Sequence, residues 1–167
     1  KDLPEVLLRL FDREGLSFIP AVDFSMPLPD LETAIGRGGT AKRGWRWIGP
    51  DGRALHEVQP PYRGMAPYYN ILQPEVQEGI LAAVRELLER YRDHPSLAGL
   101  GIQISAYGYV QLPGPEWGMD DATAARFEEE TGVDLPETGE NRFAVRAELL
   151  LGRYRSQWLR WRAQRLE

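Results

Sequence analysis

The sequence predicts an α/β fold, as a partial (β/α)8 TIM barrel with a long hairpin-containing loop insertion. Two short apolar segments, residues 16–24 and 97–105, have the length and composition of buried strands. Helical patterns flank and separate them, and strands that alternate with helices are typical of βαβ units in a parallel sheet. Two parallel strands cannot close a barrel, so we expect residues 1–167 to be a fragment of a single barrel domain whose remainder is missing from this chain.

The helices that flank the first strand show clear start and stop signals. Residues 2–13 place Val6, Leu7, Leu10 and Phe11 on one helical face, and Gly15 follows as a stop. The longest helix is predicted over residues 74–93, because Pro74 suits a first helical position and an apolar stripe recurs at helical spacing. His94 and a proline end this helix, and a cap at its C-terminus is the predicted role of His94.

Residues 25–70 are interpreted as a loop insertion within the barrel domain, rich in glycine and proline. Inside it, "WRWIGPDGRALHEV" alternates on both sides of residues 50–52, which predicts a hairpin. Loops of this length in a compact domain are usually functional or disordered. The tryptophans and tyrosines of this segment indicate an ordered loop.

Three further helices are predicted after the second strand. Asp120 suits the N-cap of a short helix that Gly132 ends, and a helical pair covers about 140–151 and 154–166. Because Trp158 and Trp161 are three residues apart, they share a helix face and are predicted to pack in the core. The many arginines are interleaved with acids, a pattern typical of solvated helix faces.

Composition excludes several classes of function. A formal charge of −5 argues against a nucleic-acid groove, and no apolar run approaches the roughly 20 residues of a membrane span. The chain has no cysteine, which excludes disulfides and thiolate sites. The two histidines, His56 and His94, are far apart and form no zinc motif, so we expect no metal and no cofactor. No cellular compartment follows from these features.

The residues that follow the strands are the candidates for a binding site, because the loops at the C-terminal ends of barrel strands carry the chemistry. The second strand runs into "GIQISAYGYVQLPGPEWG", residues 101–118, which is unusually rich in aromatic and polar side chains. The predicted polar groups of the site are Asp23, Gln103, Ser105, Tyr107, Gln111 and Glu116, and its predicted aromatic walls are Tyr109 and Trp117.

This mixture of side chains favours a carbohydrate as the ligand. A sugar ring offers an apolar face for stacking on an aromatic ring, and hydroxyls for bonds to carboxylates and amides. Hydrolysis of a glycosidic bond needs two carboxyl groups, and Asp23 and Glu116 are the catalytic candidates. Three alternatives stay open: Asp23 as a strand-end carboxylate that accepts backbone bonds, Glu116 as a solvated loop charge, and Trp117 as a packing anchor.

One stretch resembles a known family. Residues 91–95 read Tyr-Arg-Asp-His-Pro and lead into Gly-Ile-Gln-Ile at 101–104. Both phrases resemble barrel glycoside hydrolases of the retaining clan that includes the family 42 β-galactosidases and family 10-like proteins. The resemblance implies that Tyr107 occupies the position of the family's acid/base glutamate. It also implies that the nucleophile lies beyond residue 167.

The function expected from these observations is that of a glycoside hydrolase-like barrel, which would hydrolyse O-glycosidic bonds in the parent protein. This fragment alone is then expected to be inactive. The alternative is a non-catalytic carbohydrate-binding or structural barrel that has lost its acid/base. The predicted partner is a carbohydrate both for the hydrolase and for the carbohydrate-binding barrel.

Overall fold

The computed structural model describes residues 2–37, 44–58, 69–105 and 108–166. Helices dominate this part of the chain, and its strands form one two-stranded parallel sheet. The elements, in chain order, are α1 (Leu3–Glu14), β1 (Ala21–Asp23), α2 (Pro29–Arg37), α3 (Leu55–Val58), α4 (Pro74–Tyr91), β2 (Gly101–Gln103), α5 (Asp121–Thr131), α6 (Arg142–Leu151) and α7 (Arg155–Gln164).

The sheet is short and lies at the periphery of the fold. Asp23, the last residue of β1, stands opposite Gln103, the last residue of β2. An isolated parallel bridge between Phe18 and Leu97 precedes the sheet, and Pro20 lies between this bridge and β1. Because proline has no N–H to donate, it interrupts the ladder and shortens the strand.

The prediction of a partial (β/α)8 barrel is wrong. In a barrel each helix leads to the next strand, but α5, α6 and α7 follow β2 with no strand between them in the described part of the chain. The sheet is also largely uncovered, since Ile104 just beyond β2 is 74% exposed. One βαβ unit produced the predicted alternation of strands and helices, and the rest of the described chain does not continue it.

The core lies away from the sheet, among the 45–55 segment, the start of α4 and the C-terminal helices. Its largest buried side chains are aromatic: Trp45, Trp47, Tyr69, Tyr109, Trp117, Phe127, Trp158 and Trp161. Trp158 and Trp161 stack with ring centroids 5.4 Å apart, and Phe127 meets both rings edge-on. The prediction that this tryptophan pair packs in the core is confirmed.

Helix ends match the local signals in the sequence. Pro74 stands at the start of α4, and the Asp120 carboxylate caps α5 by accepting the Thr123 N–H at 2.8 Å. Gly15 and Gly132 end α1 and α5 in the left-handed conformation, with φ of 65° and 70°. A residue with a β-carbon adopts this conformation only at a cost, so glycine is the efficient stop.

The segment 25–70 is more structured than the interpretation as a loop insertion implies. It contains α2, which is held by an ion pair of 2.8 Å between Glu32 and Arg46 and by a hydrogen bond from the Tyr69 hydroxyl to Glu32. Ile48 and Ala54 form an antiparallel bridge around the turn at 49–53, where the hairpin was predicted. Residues 38–43 and 59–68 lie outside the described residues.

The interpretation of the basic residues as solvated helix faces holds for arginines such as Arg9, which pairs with the glutamate four residues before it, but a few arginines are buried. Arg146 and Arg162 are each 2% exposed. Arg146 donates to the Asp121 carboxylate at 2.7 Å and to the Met119 carbonyl at 2.9 Å. Burying a cation is tolerated only when such partners replace the lost water. The guanidinium groups are therefore structural links between helices and loops.

His94 links α1 to the segment after α4. Its Nδ1 lies 2.5 Å from Asp12 and its Nε2 lies 3.0 Å from Glu5, both on α1. The side chain therefore contacts carboxylates of another helix and does not cap the carbonyls at the end of its own. The two carboxylates raise the pKa of His94, the bond to Asp12 being the larger cause.

Candidate functional site

A cavity of about 260 Å³ opens between the 47–55 segment and the segment that follows β2. It brings together aromatic, amide and carboxylate groups from parts of the chain about 60 residues apart. Its lining residues are Trp47, Leu55, Gly108, Tyr109, Gln111, Leu112, Pro113, Gly114, Glu116 and Trp117. A cavity that combines aromatic side chains with a few convergent polar groups is a candidate ligand site.

Tyr109 forms a rigid part of the cavity wall. Its ring meets the Tyr69 ring edge-on at 4.8 Å and lies 6.0 Å from Phe24. Its hydroxyl donates to the Met26 carbonyl at 3.1 Å. Burial raises the pKa of Tyr109 far above its usual value, so the phenol stays neutral. The side chain is thus held in one orientation before any ligand arrives.

Trp117 is both a wall of the cavity and a packing anchor. A β-carbon on Gly49 would lie 2.7 Å from the indole ring, so the ring packs directly on the hairpin backbone. The next two backbone N–H groups, of Gly118 and Met119, both donate to the Ile48 carbonyl at 3.0 Å. Trp117 is 8% exposed, so the packing alternative left open by the sequence describes most of its ring.

Helix α7 holds the loop 113–115 from the side of the core. Trp158 Nε1 donates to the Pro115 carbonyl at 2.8 Å. Arg162 donates to the Gly114 carbonyl at 3.0 Å and to the Pro113 carbonyl at 2.8 Å. Three consecutive carbonyls of the loop are therefore satisfied by one helix. This anchoring fixes the backbone that carries Glu116.

The Arg162 guanidinium is also part of an aromatic stack. Its central carbon lies 5.6 Å from the Trp47 ring and 5.3 Å from the Trp158 ring. Such stacking stabilises the cation where water is excluded. Burial lowers the pKa of Arg162 to about 10, and the nearby charge of Glu116 opposes this change. The group stays protonated at neutral pH.

Glu116 contributes the carboxylate of the cavity. Its carboxylate folds back over Gly114, where a β-carbon would overlap both carboxylate oxygens. Gln111 lies on the same wall and donates its amide to the Gly108 carbonyl at 3.0 Å. The amide oxygen of Gln111 and the carboxylate of Glu116 are the side-chain acceptors that the described lining offers.

Asp23 and Ser105 lie next to the cavity without lining it. The Ser105 hydroxyl donates to the Asp23 carboxylate at 3.3 and 3.4 Å and accepts the Gly108 N–H at 3.1 Å. A β-carbon on Gly108, which does line the cavity, would lie 2.9 Å from Asp23. Gln103 stands beside Asp23 at the end of the sheet. These three residues are exposed or half-exposed at the strand ends.

Of the predicted site residues, the cavity contains Tyr109, Gln111, Glu116 and Trp117. Asp23, Gln103 and Ser105 form a separate group at the strand ends, and Tyr107 lies outside the described residues. Sequence reasoning missed Trp47 as a wall and Arg162 as an anchor. Arg162 follows Trp158 by four residues, so the two share a helix face, and this spacing was an available signal for a joint role.

The described helices contain no stretch that is both long enough and apolar enough to cross a membrane. Within the same residues, no group of histidine and carboxylate side chains is arranged to hold a metal ion.

No family model, no curated protein sequence and no solved structure matches this chain. The resemblance to retaining-clan barrel hydrolases is therefore a wrong prediction. It rested on short phrases at residues 91–95 and 101–104, and these residues form the end of a helix and a peripheral strand in a fold that is not a barrel. Hydrogen bonds to α1 account for His94 without any family role.

Proposed function

We propose that this protein binds a carbohydrate in the cavity between Trp47 and Trp117, without hydrolysing it. The observation that carries the proposal is the meeting of three aromatic side chains with one carboxylate and one amide around a small cavity. An aromatic surface suits the apolar face of a sugar ring, and the two acceptors suit its hydroxyls.

The size of the cavity limits the ligand. Its volume of about 260 Å³ is below the roughly 300–1,000 Å³ range of pockets for drug-sized ligands. One sugar ring is therefore the unit that we expect inside, with any further units outside. Because Tyr109 and the 113–115 loop are already fixed by hydrogen bonds, little order has to be gained on binding.

Binding is favoured over hydrolysis by the placement of the carboxylates. Glycosidases flank the scissile bond with two carboxyl groups that are about 5–9.5 Å apart. Among the described residues that line the cavity, Glu116 is the one carboxylate. Asp23 lies behind Gly108 and is engaged by Ser105.

Isothermal titration calorimetry with neutral and amino monosaccharides, and with their disaccharides, tests the proposal. We expect saturable one-to-one binding that weakens on Gln111→Leu, because this change removes an amide acceptor from the wall. Glu89→Gln, on the exposed surface of α4, serves as the matched surface control and should bind like the wild type. Absence of saturable binding to every sugar in the panel contradicts the proposal.

Hydrolysis is the second candidate, because Asp23 approaches the cavity through its contact with Gly108. A panel of nitrophenyl glycosides separates the two functions. The proposal predicts no release of nitrophenol above the rate without protein. Release that disappears in both Asp23→Asn and Glu116→Gln would establish the two-carboxylate mechanism in its place.

A further inference from the structure

The charge of the cavity wall points to a particular class of sugar. We propose that the cavity selects an amino sugar, whose protonated amine pairs with Glu116, over neutral and acidic sugars. This inference rests on the proposed function and specifies its ligand.

Glu116 is the single charged side chain among the described residues that line the cavity. Its neighbours on the wall are aromatic, aliphatic, amide and glycine residues. In a small cavity, a charge is screened less than at an open surface. The wall therefore attracts a cation and repels a carboxylate of the ligand.

Arg162 does not supply a compensating positive surface. It is 2% exposed, and its two terminal nitrogens donate to the carbonyls of Gly114 and Pro113. Its hydrogen bonds within the described part of the chain go to backbone carbonyls and not to Glu116. The charge of the guanidinium interacts with that of Glu116 and offsets part of it, but Arg162 does not line the cavity.

A protonated amine gains more from this wall than a hydroxyl does. Hydrogen bonds between a charged donor and a carboxylate are shorter and roughly twice as strong as neutral ones. Trp47 and Trp117 line the cavity but are only 2% and 8% exposed, so the preference comes chiefly from the carboxylate. Trp47 already has a cation near its ring, since the central carbon of Arg162 lies 5.6 Å from the ring centroid.

Gly114 leaves the space that the Glu116 carboxylate occupies. Since a β-carbon at this position would overlap both oxygens of Glu116, Gly114→Ala displaces the carboxylate without removing its charge. Gly99→Ala is the matched control, because a β-carbon on Gly99 would contact nothing within 4 Å. The pair separates the position of the carboxylate from the general effect of replacing a glycine.

Calorimetric titrations with glucosamine, N-acetylglucosamine, glucose and glucuronic acid at neutral pH test the inference. We expect glucosamine to bind about tenfold more tightly than glucose, a ratio that corresponds to about 1.4 kcal/mol. N-acetylglucosamine has the same nitrogen without the charge and should show no such advantage. Glucuronic acid should bind most weakly.

The ratio of the glucosamine and glucose affinities is the readout in the variants. Glu116→Gln should bring this ratio close to one, and Gly114→Ala should lower it, whereas Gly99→Ala should leave it unchanged. Equal binding of all four sugars by the wild type, or an undiminished ratio in Glu116→Gln, overturns the inference while the proposed function stands. Binding of none of the four, in a protein that also binds no other sugar, overturns both.

Discussion

Arg162 on the last helix donates a hydrogen bond of 3.0 Å to the carbonyl of Gly114, which lies 48 residues earlier in the chain. This contact joins the cavity wall to the core. The helix supplies the donors, the loop supplies the carbonyls, and the carboxylate of Glu116 is positioned as a result.

Replacing Arg162 by methionine should destabilise the protein and weaken ligand binding. The change leaves the Pro113 carbonyl without its donor, whereas the Gly114 carbonyl keeps the Trp117 N–H at 3.1 Å. An unsatisfied buried group costs about 1–3 kcal/mol. We expect the free energy of unfolding in urea to fall by about 1–3 kcal/mol on this basis. Arg162→Lys, which keeps the charge but not the paired donors, should lose less. A methionine variant as stable as the wild type would show that these bonds contribute nothing.

Replacing Gly49 by alanine should disturb Trp117. The new methyl group would lie 2.7 Å from the indole ring, and overpacking of this kind costs about 1–3 kcal/mol. We expect a lower melting temperature and a shift in the tryptophan fluorescence spectrum. Gly99→Ala is again the control, because that position is open. If the two alanine variants behave alike, Trp117 does not pack against the hairpin as described.

The contact of His94 with α1 should make stability depend on pH above neutrality. The pKa of His94 is raised by Asp12 and Glu5, so the folded state binds this proton more tightly than the unfolded state does. The stabilisation is fully present below about pH 6.5, the usual histidine value, and is lost as pH rises through the higher folded pKa. As pH rises from 5 to 9, the melting temperature of His94→Gln should decline less than that of the wild type.

His56→Gln provides a control, because the effect of His56 on the pH dependence of stability should have the opposite sign. Burial, followed by the charge of Arg46, lowers the pKa of His56, so protonation of this residue opposes folding. Protonation of His56 lowers the free energy of unfolding as pH falls below about 6.5. His56→Gln avoids this loss and should therefore be more stable in acid, relative to the wild type, than at neutral pH. The same pH profile in both histidine variants would contradict the assignment of either ring.

Asp120 should make the protein more stable in mild acid than at neutral pH. Its carboxyl is fully buried at the start of α5, and burial raises its pKa from 3.8 to about 7. The folded state therefore holds the proton more tightly, and stability falls as pH rises from about 4 towards about 7. Asp120→Asn keeps a good N-cap and should flatten the profile in this range. A variant that loses equal stability at pH 5 and pH 7.5 would indicate a role in capping alone.

Local signals predicted the helices well, because their ends depend on nearby residues. Pro74, Asp120 and Gly132 start or stop helices through backbone geometry and caps that the sequence shows directly. Helix α2 was missed because its support is distant, an ion pair and a hydrogen bond from Arg46 and Tyr69. The barrel was wrongly predicted because one βαβ unit carries no information about how a sheet continues.

The candidate site was partly predictable for the same reason. Tyr109, Gln111, Glu116 and Trp117 lie in one segment, so a single loop brought them to the cavity. Trp47 joins them only because the hairpin carbonyl of Ile48 binds the backbone after Trp117. No local pattern encodes that contact. Asp23, the last residue of β1, stays beside the site with Ser105, while residues further along the chain line the cavity.

Binding of a sugar ring between Trp47 and Trp117 is tested most directly by an NMR titration of the ¹⁵N-labelled protein with glucosamine and with glucose. We predict saturable shifts of the Trp117 indole N–H and of the backbone amides of Gly108, Gln111 and Gly114, with signals of α1 unchanged. Shifts that saturate elsewhere in the molecule, or no shifts with either sugar, would contradict the account.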